Sequence, residues 1–268
     1  MTQDGISVII PTYKEPEYLR LCLESIFESQ DNEHNQIIVV VDGYYDINKD
    51  VLENYSGKMN LNILNFEENQ GLSIATNYGV YSAIYDKILI VNDDNVFCKD
   101  WDLALMADYK PGRVISPNQI EPNPSMFQQF HIKDLGTDYK KFNLGKFFDY
   151  ELSIRSTKID DTGCTLPIFM NKYDFIRVGG WDIGYPSAHV VDWDFFLKCE
   201  LSKMEMVRSY KASFYHFAGQ ATRTPEEAQK THELELQGHE YFRYKWGQIA
   251  RHNKINNSKM IDVPYLLS

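Results

Sequence analysis

Cysteine is scarce and scattered: Cys22, Cys98, Cys164 and Cys199 lie far apart in a chain of 268 residues and form no Cys-x-x-Cys pair. That spacing suggests neither a zinc site nor a disulfide framework. Long apolar runs are missing too, and none approaches the roughly 20 residues a membrane-spanning helix needs. The opening residues Met1-Thr2-Gln3-Asp4-Gly5 have no basic cluster and lead directly into a strand-like run, so no signal peptide is expected. Positive charge is in deficit. With 27 Lys and Arg against 38 Asp and Glu, the formal net charge of −11 makes a nonspecific grip on nucleic acid or anionic lipid unlikely on electrostatic grounds. Neither Gly-x-Gly-x-x-Gly nor Gly-x-x-x-x-Gly-Lys-Ser/Thr occurs, which leaves the dinucleotide fingerprint and the P-loop unsupported. These absences fit a protein of the reducing cytoplasm, free or peripheral to the membrane.

What is present is the material for a sizeable core: 43% of residues are hydrophobic and 24% charged, an ordinary balance for a globular protein. Apolar runs at Ile6–Ile10, Ile37–Val41, Leu61–Leu64 and Lys87–Val91 read as strands. Between them, Leu19, Cys22, Leu23, Ile26 and Phe27 recur on one face of a helix. Asp46–Tyr55 reads as a short helix, and a third helix from Leu72 carries Ala75, Gly79 and Ala83 for close packing on a sheet. Alternation of strand and helix predicts a mainly parallel sheet and a nucleotide-binding half.

Further along, the sequence predicts a helix over Trp101–Tyr109, a strand over Arg113–Ser116 and a long connection from Pro117 to Gly145. A strand at Thr162–Met170, a short helix at Lys172–Val178 and a helix from Asp192 to Leu201 follow. Strands at Met204–Ser209 and Phe214–Gly219 end the sheet, and a charged helix runs from Pro225 to Trp246 before a polar tail beyond Arg251.

Chemistry concentrates where apolar runs stop. The run Lys87–Val91 ends in Asn92-Asp93-Asp94-Asn95, and Ile37–Val41 ends in Asp42-Gly43. In open α/β sheets the carboxyl ends of the strands bind ligands. Two adjacent acids repel one another, and a hard divalent cation such as Mg²⁺ or Mn²⁺ relieves that repulsion; an acidic turn is the other reading. Asp192 and Asp194 open a helix, where one acid is readily a cap but two call for another explanation.

These segments, in order Val8-Ile9-Ile10-Pro11-Thr12-Tyr13-Lys14, Val41-Asp42-Gly43, Asn69–Asn77, Asn92-Asp93-Asp94, Gly179-Gly180-Trp181-Asp182, Asp192-Trp193-Asp194 and Lys245-Trp246-Gly247, resemble the family 2 glycosyltransferases. The resemblance spans most of the chain. It implies an α/β protein of the GT-A type: a Rossmann-like, mainly parallel central sheet with helices on both faces, plus a C-terminal helical extension. The implied division is a glycosyltransferase domain over 1–220, with a nucleotide-sugar half at 1–97 and an acceptor half at 98–220, and an extension over 221–268 packed on it.

Carried over position by position, the resemblance implies that Pro11, Thr12 and Tyr13 line a nucleotide pocket and that Asp42 meets the base. A carboxylate there accepts the N3–H of uracil or thymine, so a pyrimidine diphosphate sugar is preferred, with guanine remaining open. Gly71 and Asn77 are implied in the same pocket, although Gly71 is as readily a plain turn. Asn92, Asp93 and Asp94 correspond to the family's Asp-x-Asp motif; Asp94 is the implied ligand of a Mn²⁺ or Mg²⁺ ion, with His216 beside it. Asn92 stands where the first acid is usual, and a histidine between aromatics, as His216 is, is more often a packed core residue. Asp192 is implied as the base of an inverting reaction, with Val191 in place of the family's glutamate. Trp181, Asp182, Trp193 and Asp194 are implied at the acceptor, the two indoles by stacking on sugar rings or, alternatively, as buried core.

The leading expectation is a metal-assisted inverting transferase that moves a hexose-type sugar from a nucleotide diphosphate to a hydroxyl of a glycan or other acceptor. A catalytically silent nucleotide-sugar or glycan-binding module is a second, motivated by Asn92 and Val191. A nucleotidyltransferase is a third, opposed by the lack of a basic Gly-rich loop after the first strand.

Overall fold

The computed structural model describes residues 5–123, 131–161, 163–186, 188, 190–217, 225–250 and 261–264. Strands β1 (Ile6–Thr12) and β2 (Gln36–Asp42) are buried from end to end, as apolar runs of this kind must be when both faces of a sheet are covered. With β3 (Leu61–Phe66) and β4 (Lys87–Ile90) they form a parallel block in the order β3-β2-β1-β4. Strand β4 lies on the opposite side of β1 from β2, so sheet growth reverses between β1 and β4. A crevice for ligands opens at the carboxyl ends of strands at such a point.

The second half of the sheet is mixed. Strand β9 (Ile168–Asn171) runs antiparallel to β4 and joins the block to β6 (Arg113–Glu121). Next comes β10 (Glu205–His216), parallel to β6, then the two-residue β5 (Asn95–Val96); β7 (His131–Ile132) and β8 (Ile159–Asp160) flank them.

Helices cover both faces, and the period-2 alternation of strand side chains sorts the core into two clusters. Val8 and Val39 face α1 (Pro16–Ser29), α2 (Tyr45–Tyr55), α4 (Trp101–Met106) and α5 (Leu144–Ile154), in a cluster with Leu23, Leu52, Trp101 and Phe147. Ile9 and Val40 face α3 (Leu72–Ser82), α6 (Lys172–Arg177), α7 (Val191–Leu201) and α8 (Pro225–Trp246), with Ala75, Phe175, Phe196 and Phe242. Because Phe242 is fully buried there, α8 shares the core of the sheet; β11 (Gln248–Ala250) and β12 (Ile261–Pro264) pair antiparallel after it. Among the described residues, no helix is long and apolar enough to cross a membrane.

Several expectations are corrected. Phe27 is 47% exposed, because it falls beyond the stripe of α1 that Tyr18, Leu19, Cys22, Leu23 and Ile26 bury. The strand expected to stop at Ser116 continues through Pro117 to Glu121, since β10 changes register between Ser209 and Ser213, beside Pro117. Proline cannot donate to a ladder and is tolerated at such an irregularity. The same long connection, expected to be loop, leads at Leu144 into helix α5, capped by the Asn143 side chain accepting from the Lys146 amide at 2.8 Å. Of the strand expected over Thr162–Met170, only its end lies in β9. Thr162, Ala218, Gly219 and the tail over 251–260 and 265–268 lie outside the described residues.

Candidate active site

The carboxyl ends of the neighbouring strands β1 and β4 are tied by a side-chain bond. Thr12, the last residue of β1, donates its Oγ1 hydrogen to Asp93 Oδ2 at 2.6 Å, just beyond β4. Burial, and then the neighbouring Asp94 carboxylate, push Asp93 up to about 7. Asn95 folds the turn: its Oδ1 accepts from the Asn92 amide at 3.2 Å, and its Nδ2 donates to the Tyr215 carbonyl on β10 at 3.4 Å. Asn92 and Asp94 stay half-buried beside it.

Strand β10 brings His216 to this acidic turn. His216 Nε2 lies 3.6 Å from Asp94 Oδ1, too far for a hydrogen bond, and that oxygen is buried with no hydrogen-bond donor among the described residues. The other ring nitrogen, Nδ1, is 3.0 Å from Oε1 of Glu121, the last residue of β6. Burial pulls the His216 pKa down, but the Asp94 and Glu121 carboxylates outweigh it and the net direction is up. Two donor atoms thus face one space, one on an imidazole oriented by a second carboxylate, and a divalent cation fits that donor chemistry. Among the described residues no cluster of three such ligands occurs, so any further donors would have to come from elsewhere, such as a bound diphosphate or water.

At the end of β2, Asp42 is only 4% exposed and its carboxylate is engaged: Oδ1 accepts from the Gln70 amide at 2.6 Å, Oδ2 from the Gly71 amide and Asn69 Nδ2, both at 2.9 Å. Meeting the base was its expected part; its observed partners make it first the anchor of the 69–71 loop. Gly43 lies against that loop, where a Cβ would stand 3.0 Å from the Asn69 amide nitrogen. Gly71, with φ 93° and ψ 154°, occupies a conformation essentially reserved for glycine. Pro11 is buried, whereas Tyr13 is 40% exposed and packs edge-on to Tyr44 at 5.4 Å, with the Lys14 ammonium 3.8 Å from the Tyr44 ring centre.

The acid expected to act as base lies on α7. That helix's cap residue Val190 has φ 71°, and no side chain caps the helix. Asp192 is therefore not a cap; it is half-buried in the first turn, its Oδ1 accepting from the Trp193 amide at 3.0 Å. Burial pushes its pKa up to about 6. Val191 is fully buried in the second cluster, so packing accounts for an apolar residue there.

The residues expected at the acceptor are mostly turned inward. Trp181 and Trp193 are 2% and 8% exposed and offer no open indole face. Asp194 is fully buried and ion-paired to Lys245 at 2.6 Å and Lys198 at 3.1 Å. Asp182 pairs with Lys245 as well, at 2.6 Å. Asn77, expected at the nucleotide, instead holds the backbone of Trp181, donating to its carbonyl at 2.7 Å and accepting from its amide at 2.9 Å.

Glu121, Asn95 and Lys245 were assigned no role from the sequence. Glu121 was hidden because Pro117 looked like the end of its strand. Asn95 was visible as part of the polar turn, and Lys245 in its Lys-Trp-Gly motif, but nothing local showed their partners.

The reversed parallel block, with acids at the ends of β2 and β4 and a loop glycine facing them, defines an α/β protein of the GT-A type. Its sequence matches the profile of Glycosyl transferase family 2 over residues 7–174, and the chain belongs to that family. Glycosyltransferase GlyA of Streptococcus pneumoniae is 35% identical over 147 residues, 52% of this chain and 20% of that protein. Putative glycosyltransferase EpsH of Bacillus subtilis is 32% identical over 95 residues, 35% of this chain and 27% of that one. The matched stretches thus span about a fifth to a quarter of these relatives. In fold, the chain is similar to S. aureus TarS 1–349 in complex with UDP, at TM-score 0.56 and 18% identity over 86% of this chain and 64% of that chain. It is likewise similar to a mannosyltransferase of Pyrobaculum calidifontis in complex with GDP-Man and Mn²⁺, at TM-score 0.59 and 14% identity over 82% and 59%.

Proposed function

We propose that this protein is an inverting, metal-assisted glycosyltransferase that moves a sugar from a UDP-sugar to a hydroxyl of a glycan or other acceptor. The observation that carries this reading is the acidic Asp93-Asp94 turn at the end of the parallel block, held by Thr12 and faced by His216; Asp192, a half-buried carboxylate at the start of α7 whose pKa is raised to about 6, is the base we assign to it. A base near neutrality can hold the acceptor's proton without being permanently protonated. The acceptor oxygen forms its bond to the anomeric carbon as the bond from that carbon to the diphosphate oxygen breaks, and the hydroxyl proton passes to Asp192.

Asp94 and His216 are the residues that would hold a Mn²⁺ or Mg²⁺ ion, with Glu121 fixing the imidazole. When bound, the ion supplies Lewis-acid stabilisation of charge on the leaving diphosphate. Thr12 orients Asp93, and the glycine-specific turn at Gly71 leaves room beside the nucleotide, with Tyr13 as an exposed ring for the base. UDP is preferred because TarS is a structural relative seen with UDP; the GDP-Man complex of the Pyrobaculum relative makes GDP the comparison to run.

The test is calorimetric titration of UDP, GDP and dTDP with and without Mn²⁺, on the wild type and Asp94→Ala. UDP binding strengthened about tenfold by Mn²⁺, about 1.4 kcal/mol, and insensitive to Mn²⁺ in Asp94→Ala, is the expected result. Metal-independent UDP binding would remove the ion from the reading. In a transfer assay, Asp192→Asn is expected to lower kcat about 10²- to 10⁴-fold; near wild-type turnover would sink the assignment of the base.

A further inference from the structure

We infer that the C-terminal helix α8 positions the catalytic base: Lys245 and Trp246 lock Asp194, two residues beyond Asp192, and make α7 present Asp192 to the crevice. This rests on Asp192 being the base. Asp194 Oδ1 accepts from Lys245 Nζ at 2.6 Å, Trp246 Nε1 at 2.7 Å and Tyr185 Oη at 3.3 Å, and its Oδ2 lies 3.1 Å from Lys198 Nζ. Lys245 Nζ also reaches Asp182 Oδ2 at 2.6 Å, and Tyr241 Oη donates to the same oxygen at 3.4 Å. Two carboxylates and two ammonium groups balance. Burial alone would raise the Asp182 pKa, but Lys245 reverses the direction and holds it low.

Three observations turn this cluster into a positioning device. First, α7 begins without a side-chain cap and from a β-branched residue at positive φ, Val190. Such a conformation persists only where surrounding structure enforces it. Second, at 3.6 residues per turn, positions 192 and 194 point to different sides of the helix. Asp194, buried together with Val191, Trp193, Phe195 and Phe196, thereby helps to set the rotation at which Asp192 remains half-exposed. Third, Asp182 follows Trp181, whose backbone is gripped on both sides by Asn77 of α3, and α3 starts at the glycine turn held by Asp42. A continuous series of bonds thus registers the base against the donor side of the crevice.

The experiment compares wild type with Lys245→Met, Trp246→Phe and Asp192→Asn. Deuterium exchange of residues 191–197 is read first, since it needs no donor, with β2 as internal reference. Turnover is read as UDP released from UDP-glucose, UDP-galactose or UDP-N-acetylglucosamine with water as acceptor. Expected in Trp246→Phe, which keeps an aromatic side chain but loses the indole N–H and part of its volume, is faster exchange over 191–197 with β2 unchanged. kcat should fall about threefold, and about tenfold in Lys245→Met, with donor KM and UDP affinity within twofold of wild type. The acid limb of the pH profile should move below 6 as Asp192 gains solvent. Unchanged exchange over 191–197, or wild-type kcat and acid limb, in folded Trp246→Phe overturns the positioning role even if Lys245→Met fails to fold. Turnover surviving in Asp192→Asn would instead overturn the base assignment. An inactive Asp192→Asn alongside an unaffected Trp246→Phe sinks only the role of α8.

Discussion

As the proposed base, Asp192 would carry opposite consequences for activity and for stability. Its pKa is raised to about 6 by burial, so the ionised form that accepts a proton is available above that pH. kcat/KM is expected to rise about tenfold per pH unit below 6 and level off above it, in a pH–rate profile. Stability runs the other way: a carboxyl that binds its proton more tightly folded than unfolded loses stability as pH rises from about 4 to 6. Asp192→Asn should therefore melt higher than wild type at pH 8, with the gap closing near pH 4. Gly71 makes a second residue-scale case. Its φ of 93° and ψ of 154° leave a Cβ free of contacts but strained, so Gly71→Ala is expected to cost about 1–3 kcal/mol in a urea titration. Wild-type stability in that variant would show the turn to be relaxed.

At the scale of elements, what could be read locally was read well, and what depended on partners was not. The parallel block was legible because β1 and β2 are apolar along their length and the intervening helices carry a regular stripe. Gly79 was legible as a packing residue: a Cβ there would stand 2.5 Å from Ile9 Cγ2 and 3.0 Å from Val40 Cγ2. Gly79→Val should thus lower the urea midpoint by the equivalent of about 1–3 kcal/mol although valine is the better helix former. Strand β6 was cut short at Pro117, because the register change in β10 that accommodates the proline lies about ninety residues downstream. The acids at 192 and 194 looked alike, yet one is half-exposed and the other fully buried, since Asp194 turns to Lys198, Tyr185 and the end of α8 and Asp192 does not.

For the whole molecule, the crevice joins the ends of β1 and β4, linked by Thr12 and Asp93, to the ends of β6 and β10, linked by Glu121 and His216. A ligand spanning it bridges both halves of the sheet and binds the folded state alone. At a hundredfold excess over Kd, nucleotide should add about 2.7 kcal/mol of stability, so thermal shift with UDP, GDP and dTDP ranks the bases without an acceptor. Equal shifts from all three would place recognition in the diphosphate rather than the base. The order of the chain adds a temporal aspect. Strands β1 to β4 emerge from the ribosome first, while Lys245 lies 51 residues downstream of Asp194. The partners of Asp194 on α8 are therefore the last members of that buried ion-pair cluster to be synthesised.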